Sequence, residues 1–285
     1  MQSIAPKVFI EDSFPGVTLG AISAPRGLIQ IDAPPSNDDS RAWRASLMNV
    51  GAGADRLLVN LDSHPDRTLG ARAMDCTIIA HERTAEVFRN RPTTFKAQGD
   101  ETGANWEGIP GLGSVRWAPP EISFTESLTM HWGDNPIQLE HHAGPTSGAL
   151  WVVLPVEKIV FVGDLVVKNQ PPFLSHADLP AWIDGLKTLI GPEYKGYNII
   201  SGRGGSVQAQ AVKTQLDIIK HIHERMEKLA AREAAPEATE KLVDGLLVHY
   251  KAPSAKQKHF AQRLRYGLLH YYIRHYQPSN HPQDE

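Results

Sequence analysis

The stretch from residue 57 to residue 70, LLVNLDSHPDRTLG, constrains this chain more than any other. Leu57, Leu58 and Val59 are apolar at successive positions, the pattern of a strand buried on both faces. The run then breaks into Asp62, His64, Asp66 and Arg67. Polar groups just beyond the carboxyl end of such a strand are where open α/β sheets place their sites. Asp62, His64 and Asp66 are spaced by two, so an extended or tightly turned backbone can aim all three at one point, as a metal ion requires.

The remainder of the chain supplies the layers such a strand needs. At 285 residues and 41% hydrophobic content, one large α/β core can be buried. Strand patterns at 7–14, 17–24 and 27–34 are separated by Pro-Gly and Pro-Arg-Gly turns and read as a meander. Ser36, Asn37 or Asp38 can cap a helix that carries AWRASLMNVGAG over that sheet. Residues 91–120 are rich in Gly, Pro, Thr and Asn and hold Trp106 and Trp117, which either close over a pocket or anchor the loop on the sheet. ISFTESLTMHWGD and PIQLEHH then read as two strands around a Gly-Asp-Asn-Pro turn, and ALWVVLP with KIVFVGDLVV as a hairpin ending at Asp164.

Helices dominate from Ser175 onward. Asp178 caps a helix with Pro180 in its first turn and Leu179, Trp182, Ile183, Leu186 and Leu189 on one stripe. A long helix is expected over about 206–232, then AREAAPEATE as a linker, then helices at 240–250 and 255–276. Ser254 with Gln257 suggests a capping box for the last. Its stripe of Phe260, Leu264, Leu268, Tyr271 and His275 docks on the main body or on a second copy of the chain, the basis for expecting a homodimer. Lys256, Lys258, Arg263, Arg265 and Arg274 are assigned to its solvated face.

Composition excludes several classes. A net charge of −3 and a pI near 6.5 argue against a general nucleic-acid binder. The single cysteine, Cys76, permits no internal disulfide framework and reads as a small buried strand residue. The opening MQSIAPKVFIEDSF lacks a signal-peptide pattern, and no run reaches 18 apolar residues. A cytoplasmic protein without a membrane partner is the expectation.

The segment Asp62-Ser63-His64-Pro65-Asp66-Arg67 resembles the H-x-H-x-D-H signature of the metallo-β-lactamase superfamily. TIIAHERTAEVF (77–88), HHAGPTSGALWVVLPVEKIVFVGDLV (141–166) and YNIISGRGG (197–205) follow in the order of that family's later segments. The resemblance spans about residues 7–229. It implies an α/β fold of the four-layer αβ/βα sandwich type over residues 1–230, with a helical C-terminal extension over 231–285. Asp32, in LIQIDAPP, resembles that family's structural strand-end aspartate.

Departures from the signature are equally informative. Asp62 stands at the first histidine position, Arg67 at the third, Pro145 or a short deletion at the fourth, and Arg203 at the last, while His64, Asp66 and the bridging aspartate Asp164 remain. Arginine has no lone pair to donate, so the half of the site facing Arg67 and Arg203 should hold no ion. The other half keeps Asp62, His64 and Asp164 as metal ligands, with His142 or His141 as a substitute for the lost histidine. Alternation allows only one of that pair to face the site. One divalent ion, Zn, Mn or Fe, fits those donors, and so does none. With an ion, Asp66 orients or deprotonates water, Arg67 or Arg203 binds an anionic group or oxyanion, and an ester, thioester or lactam-like bond is hydrolysed. Without one, three aspartates face two arginines as a salt-bridged remnant, and the protein is a non-catalytic binder of a small anionic ligand in an arginine-lined cleft.

Overall fold

The computed structural model describes residues 1–50, 53–96 and 101–277, and among these the strands sort into two sheets. The first sets β1 (Gln2–Ala5), β2 (Val8–Glu11), β3 (Leu19–Ala24), β4 (Gly27–Ile31), β5 (Asp55–Val59), β6 (Thr77–His81) and β7 (Ile122–Phe124) side by side in chain order. The meander β1–β4 is antiparallel, and the pairs from β4 to β7 are parallel. The second holds β8 (Ser127–Met130), β9 (Ile137–His141), β10 (Leu150–Leu154), β11 (Ile159–Phe161), β12 (Asn198–Ile200) and β13 (Ser206–Val207), with only β11 and β12 parallel.

Period-two alternation makes the layers. Leu150, Val152 and Leu154 pack with Ile29, Ile31, Val59 and Ile79 of the first sheet, whereas Trp151 and Val153 pack toward helices. Strands covered on both faces read as continuous apolar runs for this reason. Helix α1 (Asn37–Ser46) covers the outer face of the first sheet through Trp43, and the Ser36 hydroxyl caps it by accepting from the Asp39 amide at 3.0 Å. The short helix α2 (Pro65–Thr68) follows β5, and α3 (Glu82–Asn90) follows β6. Helices α4 (Leu179–Leu189), α5 (Ala209–Ala230), α6 (Val243–Leu247) and α7 (Ser254–Tyr276) contribute to the core on the outer face of the second sheet. Asp178 caps α4 as expected, accepting from the Ala181 amide at 2.9 Å. The result is a four-layer αβ/βα sandwich with a helical C-terminal segment.

Several local expectations need correction. A further strand, β1, joins the three expected ones in the meander, and the run 122–130 divides between the two sheets as β7 and β8. The chain changes sheets at Thr125, whose carbonyl lies 2.7 Å from His81 Nε2. Ser206 and Val207 pair with β12, so the long helix starts only at Ala209. The 240–250 helix is a 3₁₀ turn, Pro236–Leu242, followed by α6. Ser254 is the first helical residue of α7 and makes no side-chain cap; the Pro253 carbonyl accepts from Gln257 N at 3.1 Å instead.

The loop 91–120 carries its own small core. Trp106 and Trp117 are buried, each meeting Phe95 edge-on, at 4.9 and 5.3 Å, with Phe88, Leu112 and Val115 around them. The indoles are anchors; residues 97–100 of the loop lie outside the described residues. Leu264, Leu268 and Tyr271 of α7 join the same cluster as Trp182 and Leu186 of α4, so its apolar stripe docks on the main body, although His275 is exposed. Truncating Leu264 removes buried contacts without a polar partner. Leu264→Ala should cost about 2–5 kcal/mol in urea unfolding; a loss well under 1 kcal/mol would mean that α7 is not part of the cooperative core.

Candidate active site

Four strand ends converge. Asp32 follows β4, residues 60–67 follow β5, Asp164 follows β11 in the turn Gly163–Leu165, and Arg203 follows β12. Both strand pairs are parallel, so these ends lie on one side of the sandwich. His64 caps α2, its Nδ1 accepting from the Asp66 amide at 3.3 Å, and Pro65 occupies the first helical position. This tight turn buries both Asp66 and Arg67. Glycine is required at 202, because a Cβ there would stand 2.5 Å from Asp164 Oδ1 and from the Gly163 carbonyl carbon.

The converging groups form one closed ion-pair network. Arg67 donates from Nη1 to Asp32 Oδ2 at 2.6 Å and from Nη2 to Asp164 Oδ1. Its Nε lies 3.0 Å from Asp62 Oδ1 without directing its N–H at that oxygen. Arg203 donates from Nε and Nη2 to the Asp164 carboxylate, at 3.0 Å to Oδ1 and 2.9 Å to Oδ2, and from Nη1 to Asp66 Oδ2 at 2.6 Å. Its Nη2 also lies 3.1 Å from His64 Nδ1. Backbone amides take the other acceptor sites: Leu61 N on Asp32 Oδ1 (2.9 Å), His64 N on Asp62 Oδ1 (2.7 Å) and Trp106 N on Asp66 Oδ1 (2.8 Å). All four aspartates and both arginines are nearly or fully buried.

Charge balance explains the proton positions. Burial raises the Asp164 carboxyl, yet Arg203 and Arg67 outweigh it and hold this group far below the usual carboxylate range. Burial, and then Arg203, push His64 well below the ordinary histidine value, so the imidazole is neutral and its Nδ1 accepts. Four buried carboxyls face two guanidiniums, an excess of two negative charges. The excess surfaces at Asp32 and Asp62. Burial raises both despite Arg67, and Asp32 is pushed up to about 7.

These residues do not fit a metal ion. Both oxygens of Asp66 and Asp164, Asp62 Oδ1 and His64 Nδ1 already face donors of the chain itself. Among the described residues no group of three or more His, Cys, Asp and Glu is disposed to hold an ion. Asp62, His64, Asp66, Arg67, Asp164 and Arg203 are brought together, bonded to one another. His142 is placed elsewhere. Its ring stacks on Trp151 at 3.6 Å and its Nε2 lies 3.2 Å from Glu140 Oε2, which also accepts from the Tyr194 hydroxyl. Its neighbour His141 stacks on His81 at 3.8 Å.

Sequence reasoning missed three participants. Asp32 was assigned only a strand-end role, and Phe173 was not singled out. Arg263 was assigned to a solvated face but is buried: its guanidinium lies over Phe173 at 4.1 Å, while Arg203 lies over the same ring at 4.4 Å. A signal existed. Arg263 stands three residues after Phe260, on the helical stripe itself.

Residues 63–199 match the family model described as Metallo-beta-lactamase superfamily, a span that contains His64, Asp66, Arg67 and Asp164 but excludes Asp62 and Arg203. No curated protein matches the chain. Among solved structures, a metallo-beta-lactamase from Pontibacter korlensis is similar with a TM-score of 0.60 and 19% identity, over 77% of this chain and 97% of that one. The stereoselective inverting sec-alkylsulfatase Pisa1 from Pseudomonas sp. is similar with a TM-score of 0.72 and 14% identity over 98% of this chain; the chain spans 51% of that sulfatase. A metallo-beta-lactamase from Erythrobacter litoralis gives 0.58 and 16%, over 77% and 96%. These likenesses are likenesses of fold.

Two measurements probe the network. Asp164→Asn leaves two buried guanidiniums short of their shared carboxylate and should cost about 3–5 kcal/mol at neutral pH; a loss below about 1 kcal/mol would mean the ion pairs are not formed. The sign for Asp32 is opposite to that of a paired surface carboxylate. It keeps its proton to about pH 7 when folded but loses it near pH 4 when unfolded. The folded chain therefore binds the extra proton across that window, and this contribution to stability falls as pH rises through it. The buried, neutral His64 contributes in the opposite sense, so the comparison is with Asp32→Asn. Between pH 5 and pH 8 the parent should lose more unfolding free energy, or gain less, than this variant as pH rises; parallel profiles would place the proton elsewhere.

Proposed function

We propose that this chain, a member of the metallo-β-lactamase superfamily, is one in which two arginines have taken over the place of the metal centre, leaving a metal-free, non-catalytic protein that binds a small anionic ligand. One observation carries the reading: the Asp66 and Asp164 carboxylates, which the family signature assigns to metal, are bonded at both oxygens within the chain. A hydrolytic ion needs those lone pairs and an open position for water.

In the native fold, the Nη groups of Arg67 and the Nε and Nη groups of Arg203 are turned to Asp32, Asp66 and Asp164, so a ligand would meet a different guanidinium. Arg91 fits that role best. It packs over the rings of Trp117 at 4.7 Å and Phe88 at 5.3 Å, donates from Nη1 to the Ser63 carbonyl at 3.0 Å, and has no carboxylate partner among the described residues. Burial pushes it down to about 10, and nearby Asp62 opposes that shift. A guanidinium placed beside the site without a fixed counter-ion suits an anionic group.

The test is elemental analysis of untagged protein, incubated with Zn, Mn and Fe salts and then desalted, beside an Asp62→Ala, His64→Ala double variant. The metal content should stay well below one equivalent in both, and the melting temperature should be the same with and without chelator. Near one equivalent in the parent, lost in the variant, would overturn this reading and restore the mononuclear hydrolase acting on an ester, thioester or lactam-like bond.

A further inference from the structure

The network described above is roofed by two segments that share no strand or helix with it. The turn 101–107 lies on one side, where Trp106 donates its amide to Asp66. The strap 168–174 lies on the other, starting at Lys168, whose amide bonds the Arg203 carbonyl at 3.0 Å, and reaching Phe173, whose ring contacts His64 at 4.3 Å and Arg203 at 4.4 Å. Each segment has its own cohesion. The Glu107 carboxylate collects the amides of Thr102, Gly103 and Ala104, at 2.7, 2.9 and 3.2 Å, which ties the turn together.

What fastens both is one side chain of α7. Arg263 donates from Nε to the Gly103 carbonyl at 2.8 Å and from Nη2 to Asn105 Oδ1 at 2.9 Å, on the turn. From Nη1 it donates to Gln170 Oε1 at 2.9 Å and the Pro171 carbonyl at 3.1 Å, on the strap, while its guanidinium lies over the Phe173 ring at 4.1 Å. The helix comes close enough for this only because glycines stand at the contacts. A Cβ on Gly103 would lie 2.5 Å from Arg263 N, and one on Gly267 would lie 3.1 Å from the Leu174 Cβ. Gln262 adds a bond to the Glu101 carbonyl at 2.8 Å.

Arg263 is an expensive way to hold a loop. Every hydrogen-bond acceptor it has is neutral, and it is 1% exposed; burial, and then Arg203, push it down to about 9. A buried cation held this way gains little net stability compared with an apolar residue of its size. Its five N–H groups in a rigid fork do something an apolar residue cannot: they fix two separate segments to one helix at once.

We propose that Arg263 is a latch through which α7 holds the 101–107 turn and the 168–174 strap closed over the Asp66–Arg203 end of the network, so that seating of α7 governs access to the centre. This holds whether or not the centre binds an ion.

Hydrogen exchange on the full chain tests it. In Arg263→Lys, which keeps the charge but loses the fork, amides of 101–107 and 168–174, Trp106 above all, should exchange at least about tenfold faster while those of β10 are unchanged. Arg265→Lys, on the same helix but paired with Glu240 at 2.6 Å and, among the described residues, with neither segment, should change neither. Unchanged exchange in both segments, or an equal rise in β10, would overturn the latch and leave Arg263 as an ordinary structural bond. If Arg263→Lys does not fold, the parent still decides the matter under mild denaturant. The turn, the strap and α7 should open as a single unit with one denaturant dependence, and independent opening would overturn the proposal.

Discussion

The interaction on which this molecule depends is the contact of Arg67 with aspartates from both sheets. Asp32 follows β4 of the first sheet and Asp164 follows β11 of the second, and one guanidinium bonds both. Arg203, after β12, repeats the arrangement between Asp164 and Asp66 of the α2 turn. Burying these charges is unfavourable unless each is paired with good geometry. The two forks supply that geometry and tie the two sheets together at their strand ends. Removing one partner strands the others in an apolar surround, so the network behaves as a unit.

Much of this was legible in the residues. The buried strand 57–59, the polar break after it and Asp164 at the end of KIVFVGDLVV located the strand ends, because period-two burial and strand-end sites are local rules. The αβ/βα layering followed from apolar runs whose alternate residues face different layers, as Trp151 and Val152 do. Less legible was anything that depends on contacts between distant segments. The placement of His142 against Trp151 and Glu140 depends on the β9–β10 register and on Tyr194, more than fifty positions away. Arg263 was hidden differently. A charged residue on a buried stripe looks like a solvated neighbour of Arg265 until its acceptors, from residues 103, 105, 170 and 171, are brought beside it.

The C-terminal helices alter the meaning of the fold around them. The lactamase structures align with 77% of the chain, whereas the sulfatase aligns with 98%, a share so large that it includes these helices. In this chain they do more than extend the core beside α4. Through Arg263, α7 reaches past the second sheet to the two segments that roof the strand ends. A helix whose apolar stripe seats on the main body and whose one buried cation grips the roof couples the packing of the extension to the exposure of the centre.

Two guanidiniums and two metal ions are not equivalent substitutes even where they neutralise the same carboxylates. A bound ion carries its charge at a point, can exchange, and keeps a coordination position open for water; a guanidinium is tied to the backbone, spreads one charge over a plane, and offers only donors. Replacing ions by arginines therefore delivers less positive charge to the same aspartates. Asp32 and Asp62, neither of them an aspartate that the family signature gives to metal, are both raised by burial despite Arg67. At Asp32 a proton can balance negative charge that the two guanidiniums leave over. In the metal-free state proposed above, a centre balanced in this way would need no metal supply, and its carboxylates would serve to hold two sheets together.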